Sequence, residues 1–281
     1  MMMPAQDGTS HSGAGIVKTY IAESRYENRY DYEAGRDINM DNIIQQKELK
    51  LVRISDRIWY SEYDEERDRP CLGYVRGSSW SLAVDAGHSG RHVEEFYSAL
   101  EREKLPLPSI TVITHWHWDH AFGMHSVSGL SAANVRTDSY LRHFTKKLED
   151  EGEEAFFSLD PSIRREYSEA PGSDRTLPVI IKPADITFDG EMTLRMGDIS
   201  AKLITSISPH TDDSTLVYIP EERFLFVGDS ICGRFPTWDK DPEKAGILAR
   251  TIEQVDVDLC LGGHWPVMNK HVLIDFLNSW E

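Results

Sequence analysis

Residues 109–125 read SITVITHWHWDHAFGMH, and this stretch carries the signal for both fold and chemistry. Residues 109–114 form a continuous run rich in β-branched side chains, the pattern of a strand buried on both faces of a sheet. His115, His117, Asp119 and His120 follow at once, four potential metal ligands within six residues. In extended chain successive side chains alternate, so His115 and His117 project to one side while Trp116 and Trp118 point away. At the turn into a short helix, Asp119 and His120 can face a second metal. Neutral imidazoles with a carboxylate are the ligand set that zinc favours in catalytic sites, where one position stays open for water.

Working outward, the N-terminal flank is strand-like. LKLVRI, RIWYSEY, CLGYVRG and SWSLAVD are short β-branched and aromatic segments separated by turn-forming residues. HVEEFYSALEREK then places Val93, Phe96, Tyr97 and Leu100 at helical spacing before the central strand. On the C-terminal side, EMTLRMG, ISAKLITSI, STLVYIP and RFLFVGD read as strands. A helix is expected near 242–254, LCLGG is a short buried strand, and KHVLIDFLNSW closes as a helix. Two β-rich halves, each closed by helices, imply an α/β protein of two packed sheets with helices outside, a four-layer αββα sandwich.

The sequence divides into three stretches. Residues 1–46 read as a polar leader followed by an arm carrying Tyr20, Tyr26, Tyr30 and Tyr32. Aromatic rings are costly to leave in water, so the arm is expected to dock on the main domain or on a second subunit of a homo-oligomer, and the sequence leaves both open. Residues 47–281 form the catalytic domain, and within it the charged, strand-free segment 138–176 is expected to form a helical cap.

With 47 acidic against 30 basic residues, the formal net charge is −17. That charge repels phosphate backbones and anionic headgroups, so neither nucleic acid nor membrane is an expected partner and a small-molecule substrate is. Cys71, Cys232 and Cys260 are odd in number and lack CxxC spacing, which argues against a disulfide framework. The leader shows no basic stretch followed by an apolar core. No apolar run approaches the ~20 residues of a membrane helix, so the expected location is the cytoplasm.

The HxHxDH arrangement resembles the signature of the metallo-β-lactamase superfamily, over about residues 47–281. The order of that family's remaining ligands is matched by His210 in SPHTDDSTLVYI, Asp229 in FLFVGDS and His264 in LCLGGHWPV. VDAG, with Asp85, resembles its early strand-end turn, whose aspartate lies near the metals without usually binding them. The resemblance implies that His115, His117 and His210 hold one metal and that Asp119, His120 and His264 hold a second. Asp229 would bridge the two. It also implies two zinc ions per chain, with iron or manganese as alternatives, and a hydrolase that uses a metal-bound hydroxide on an ester, thioester or lactone. Asp119 would in addition serve catalysis by orienting the nucleophile or passing its proton on.

Departures from subfamilies narrow this. β-Lactamases of the superfamily usually carry a cysteine where Asp229 stands, and the basic surfaces of its nucleases are not evident. No basic C-terminal glutathione-binding segment is found. A mononuclear iron enzyme resembling persulfide dioxygenases, with a two-histidine, one-carboxylate triad, is the alternative from another reaction class. A metal-binding protein without catalysis is the third. His11, His125, His143 and His271 are expected to be ordinary structural or surface residues. His88 and His92, just after VDAG, are expected to be structural, with an approach to the substrate as the alternative reading. Trp116, Trp118, Trp238 and Trp265 either pack around the ligand loops or wall an aromatic pocket.

Overall fold

The computed structural model describes residues 48–65, 67, 69–158 and 178–280. The leader and the Tyr-rich arm, and residues 159–177 of the expected cap, lie outside the described residues.

The first sheet runs in chain order through β1 (Leu51–Arg53), β2 (Ile58–Ser61), β3 (Gly73–Arg76), β4 (Ser81–Val84), β5 (Ile110–Val112), β6 (Leu130–Asn134) and β7 (Ile186–Phe188). Strands β1 to β4 pair antiparallel, and β4 to β7 pair parallel. Parallel neighbours cannot be joined by a hairpin, so each needs a crossover. These are α1 (Gly90–Arg102), then α2 (Trp118–Ala121) with a 3-10 turn over Phe122–Ser126, then α3 (Val135–Glu151) with α4 (Glu153–Phe157). Ser89 caps α1 by accepting the His92 N–H, and Asn134 caps α3 by accepting from Arg136 and Thr137.

The second sheet contains β8 (Glu191–Arg195), β9 (Ser200–Thr205), β10 (Thr215–Ile219), β11 (Phe224–Gly228), β12 (Leu259–Gly262) and β13 (Met268–Asn269), again neighbouring in chain order. It is antiparallel except for the β11–β12 pair, which is joined through α5 (Pro242–Glu253). Helix α6 (Lys270–Asn278) ends the chain's described structure.

Period-two alternation divides each strand between two apolar layers. In β10 and β11, Val217, Ile219, Phe224 and Phe226 enter the core between the sheets, shared with Val75, Leu82, Val84 and Val112 of the first sheet. Their neighbours Leu216, Tyr218, Leu225 and Val227 face Leu248 and Ile252 of α5 and Leu273 and Leu277 of α6. On the other side, Tyr74 and Ala83 pack with Phe96 and Leu100 of α1. The result is the αββα sandwich expected of the sequence. Fully burying one such side chain contributes ~1.5–3 kcal/mol, so each layer is held by many modest increments.

Three strands were not legible in the pattern: β6, β7 and β13. Strand β6, LSAAN, lacks β-branched residues because both of its faces are packed. Ala132 enters the inter-sheet core and Ala133 the layer under α3. Small side chains fit that space better than Val or Ile, so burial overrides propensity. The expected cap is also reshaped. Its first part is α3, whose Leu141 and Phe144 are buried against the sheet as the β6-to-β7 crossover. Among the described residues no helix is long and apolar enough to cross a membrane.

Candidate metal centre

Ligand sites in sheets with parallel strands gather beyond the carboxyl ends of those strands. Here Asp85 follows β4, His115 and His117 follow β5, Asp229 follows β11 and His264 follows β12. Asp119 and His120 lie on α2, and His210 lies in the loop between β9 and β10. All seven sequence-derived ligand candidates meet in two donor groups. One is His115, His117 and His210, and the other is Asp119, His120, Asp229 and His264.

In the first group His117 Nδ1 lies 3.1 Å from His115 Nε2 and 3.0 Å from His210 Nε2. The far nitrogens of His210 and His115 are engaged elsewhere. His210 Nδ1 is 2.7 Å from the Gly233 carbonyl oxygen, to which it donates, and His115 Nδ1 is 3.1 Å from Thr114 Oγ1. Burial pushes His115, His117 and His210 below the usual histidine value, so they are neutral, as metal-binding imidazoles must be.

In the second group His264 Nε2 lies 3.0 Å from Asp119 Oδ2 and 3.3 Å from Asp229 Oδ2. His120 Nε2 lies 3.4 Å from both Asp119 Oδ2 and Asp229 Oδ1. Burial alone would favour neutral side chains, but the opposite charges outweigh it. His264 and His120 hold Asp229 and Asp119 well below the usual carboxylate range, and the carboxylates raise both histidines. Asp229 also reaches the first group, with Oδ2 3.8 Å from His210 Nε2.

Two observations test whether these residues fit a cation. His120 Nε2 and Asp229 Oδ1 are buried, 3.4 Å apart, and without a well-aligned hydrogen-bond partner. Each such orphan costs ~1–3 kcal/mol unless something else satisfies it. Second, the donor set is wholly imidazole and carboxylate, converging from four chain segments. Both fit a metal. Gly263 leaves the necessary room, since a Cβ there would stand 2.3 Å from Asp229 Oδ1 and 2.6 Å from His120 Cε1.

Supporting contacts hold these side chains. Asp85 sits in the left-handed region at φ 66° and accepts from the Thr114 N–H at 2.7 Å and hydroxyl at 2.9 Å. Its Oδ2 is also 2.8 Å from His120 Nδ1, which leaves His120 Nε2 to face the site. Asp213 is the support that sequence reasoning missed. It is buried and accepts the Trp116 N–H, between His115 and His117, at 2.9 Å, and the Thr137 hydroxyl at 2.8 Å. Nothing in HTDDS distinguishes it from an ordinary turn aspartate.

The remaining described histidines stand apart from the donor groups. His88 and His92 are buried beneath the Asp85 turn, the His88 N–H approaching His92 Nδ1 at 3.4 Å, and His125 donates to the Phe122 carbonyl. The tryptophans split. Trp118 packs in the core against Phe235, and Trp238 stacks beside His210 at 5.9 Å. Trp116 and Trp265 line two clefts of about 300 and 290 Å³, the first reaching His117 and His210 and the second His264.

The family model described as the metallo-beta-lactamase superfamily matches residues 81–264, well over half of the chain. The chain belongs to this superfamily. The HxHxDH motif therefore lies where a metallo-β-lactamase-fold protein carries it, and the match runs from β4 to His264. Among curated relatives, a Caenorhabditis elegans protein named beta-lactamase-like protein 2 homolog is 27% identical over 68% of this chain, and the match covers 54% of that relative. The chain thus spans about half the length of that relative. Proteins named acyl-coenzyme A thioesterase MBLAC2, from Bos taurus and Homo sapiens, are each 23% identical over 79% of this chain and 82% of their own length. Among solved structures, a metallo-beta-lactamase from Pontibacter korlensis aligns at TM-score 0.59 and 18% identity, over 83% of this chain and 98% of its own. The alkylsulfatase Pisa1 from Pseudomonas sp. aligns at TM-score 0.61 and 12% identity, over 83% of this chain and 41% of its own. At these identities the structural likeness is one of fold.

Proposed function

We propose that this chain is a dinuclear metal-dependent hydrolase of small-molecule thioesters. The observation that carries the reading is the position of Asp229, whose Oδ2 lies 3.8 Å from His210 Nε2 and 3.3 Å from His264 Nε2. One carboxylate thus reaches both donor groups. His115, His117 and His210 would hold one cation and Asp119, His120 and His264 a second, with Asp229 shared between the groups. Zinc-class cations held there would supply an acidified water near neutral pH and polarisation of the scissile carbonyl. Asp119 orients the attacking water and takes up its proton. The water oxygen bonds to the acyl carbon, the carbon–sulfur bond breaks, and the departing thiolate is protonated, giving a carboxylic acid and a thiol.

The thioester class is supported by the MBLAC2 relatives, which align over most of their length, and by two clefts flanking the donor groups, enough for the two halves of a substrate. The test is a panel of acyl-coenzyme A thioesters, lactones, phosphodiesters and β-lactams given to the metal-loaded protein. Thioesters should be the preferred class by kcat/KM. Preference for another class, or oxygen uptake with a persulfide, overturns the assignment.

A further inference from the structure

The two clefts differ in charge, and the difference orients a substrate. The cleft beside His117 and His210 carries two cations, Arg234 and Lys244, with Trp116, Tyr140 and Phe235 as aromatic walls. Among the described residues no carboxylate pairs with the exposed Arg234 side chain. Lys244 Nζ has only a loose contact with Asp241 at 3.6 Å, on a half-exposed helix start where such a pair contributes little. Among the described residues Asp212 is the one acidic residue in the lining, and its carboxylate has partners of its own. Its Oδ1 accepts the Tyr140 hydroxyl at 3.0 Å, and its Oδ2 is 4.0 Å from Arg136 Nη1.

The cleft beside His264 has the opposite character. Tyr60, Tyr63, Trp265 and Pro266 wall it, and among the described residues Glu62 is its one carboxylate. An anion is repelled there, whereas an acyl chain can bury against the rings. Two available cations are conspicuous on a chain of net charge −17, because they place a local positive field at the mouth of an acidic protein's site. A guanidinium offers paired N–H donors that match a phosphate or carboxylate bidentately, and an adjacent ammonium adds a second charge.

We propose that the thiol half of the substrate carries an anionic group, of phosphate type, which Arg234 and Lys244 bind, so that this half lies in the cleft beside His117 and His210. The acyl half is then left to the aromatic cleft beside His264. This rests on the thioester-hydrolase reading and goes further by naming the residues that select the leaving group.

The test uses the full chain loaded with zinc and two substrates bearing the same acyl group, one on coenzyme A, whose thiol half is phosphorylated, and one on uncharged N-acetylcysteamine. KM is measured for the wild-type protein and for Arg234→Glu, Lys244→Glu and the double variant. Arg234→Gln and Lys244→Gln provide milder changes should charge reversal impair folding. The double reversal should raise KM for the coenzyme A thioester about tenfold or more relative to the neutral thioester, with the Gln variants intermediate. Hydrolysis of both substrates with an unchanged KM ratio overturns this assignment and leaves the hydrolase reading standing. Failure of the wild-type protein to hydrolyse either one overturns both.

Discussion

Oδ2 of Asp85 lies 2.8 Å from Nδ1 of His120, so a residue outside both donor groups fixes which nitrogen of His120 faces the site. The same carboxylate accepts two hydrogen bonds from Thr114, immediately before His115, and so ties the β4 turn to the ligand loop. Such outer partners typically matter by ~10–100-fold in metal affinity or activity. Asp85→Ala should therefore weaken zinc binding by the group containing His120 by about that factor, read by competitive titration with a chromophoric chelator. Wild-type affinity for both metals would show that the contact is not needed.

Asp229→Ala removes a carboxylate that reaches both groups and half of the carboxylate charge in the two donor groups. Cations in adjacent groups repel strongly in a partly dry site. The variant should bind at least one metal fewer per chain and lose roughly 100-fold or more in kcat/KM, by elemental analysis and thioester assay. Retention of both metals with unchanged turnover would place the bridge elsewhere.

Gly263→Ala puts a methyl group 2.3 Å from Asp229 Oδ1, closer than any real contact allows, while the strand before it is unaffected. The variant should keep its circular dichroism spectrum and lose metal. An intact site would mean that the loop between β12 and His264 yields more readily than its packing suggests.

Much of this was legible in the sequence, for identifiable reasons. His115, His117, Asp119 and His120 are adjacent in the chain, so their convergence is local geometry on a strand-end turn. His210, Asp229 and His264 come from loops far apart in sequence, and the order implied by family resemblance brought them in. Asp213 escaped notice because its role depends on Trp116 and Thr137, 97 and 76 residues away. Arg234 and Lys244 likewise gain meaning only when the loop after Asp229 and the start of α5 come to line the cleft beside His210. Strand β6 was missed because its alanines answer to packing on two faces rather than to strand propensity.

Burial raises the Asp213 carboxyl from 3.8 to about 6, against the pull of its hydrogen bonds from Thr211, Thr137 and Trp116. The folded protein thus holds this proton more tightly than the unfolded chain. The stabilisation is fully present below pH 3.8 and is lost as the pH rises through about 6. Asp213→Asn lacks this titration. Relative to that variant, the wild-type protein should lose up to about 3 kcal/mol between roughly pH 4 and pH 7, measured by urea denaturation. Metal effects common to both proteins cancel in the difference. A difference independent of pH would contradict the shift.

The most direct test of the dinuclear hydrolase is stepwise reconstitution. Protein stripped with a chelator is given zinc in increments while bound metal and thioester hydrolysis are followed together. Hydrolysis should be absent from the stripped protein and should return as binding approaches two zinc ions per chain. Full hydrolysis by metal-free protein, or saturation at a single metal with full activity, would contradict it.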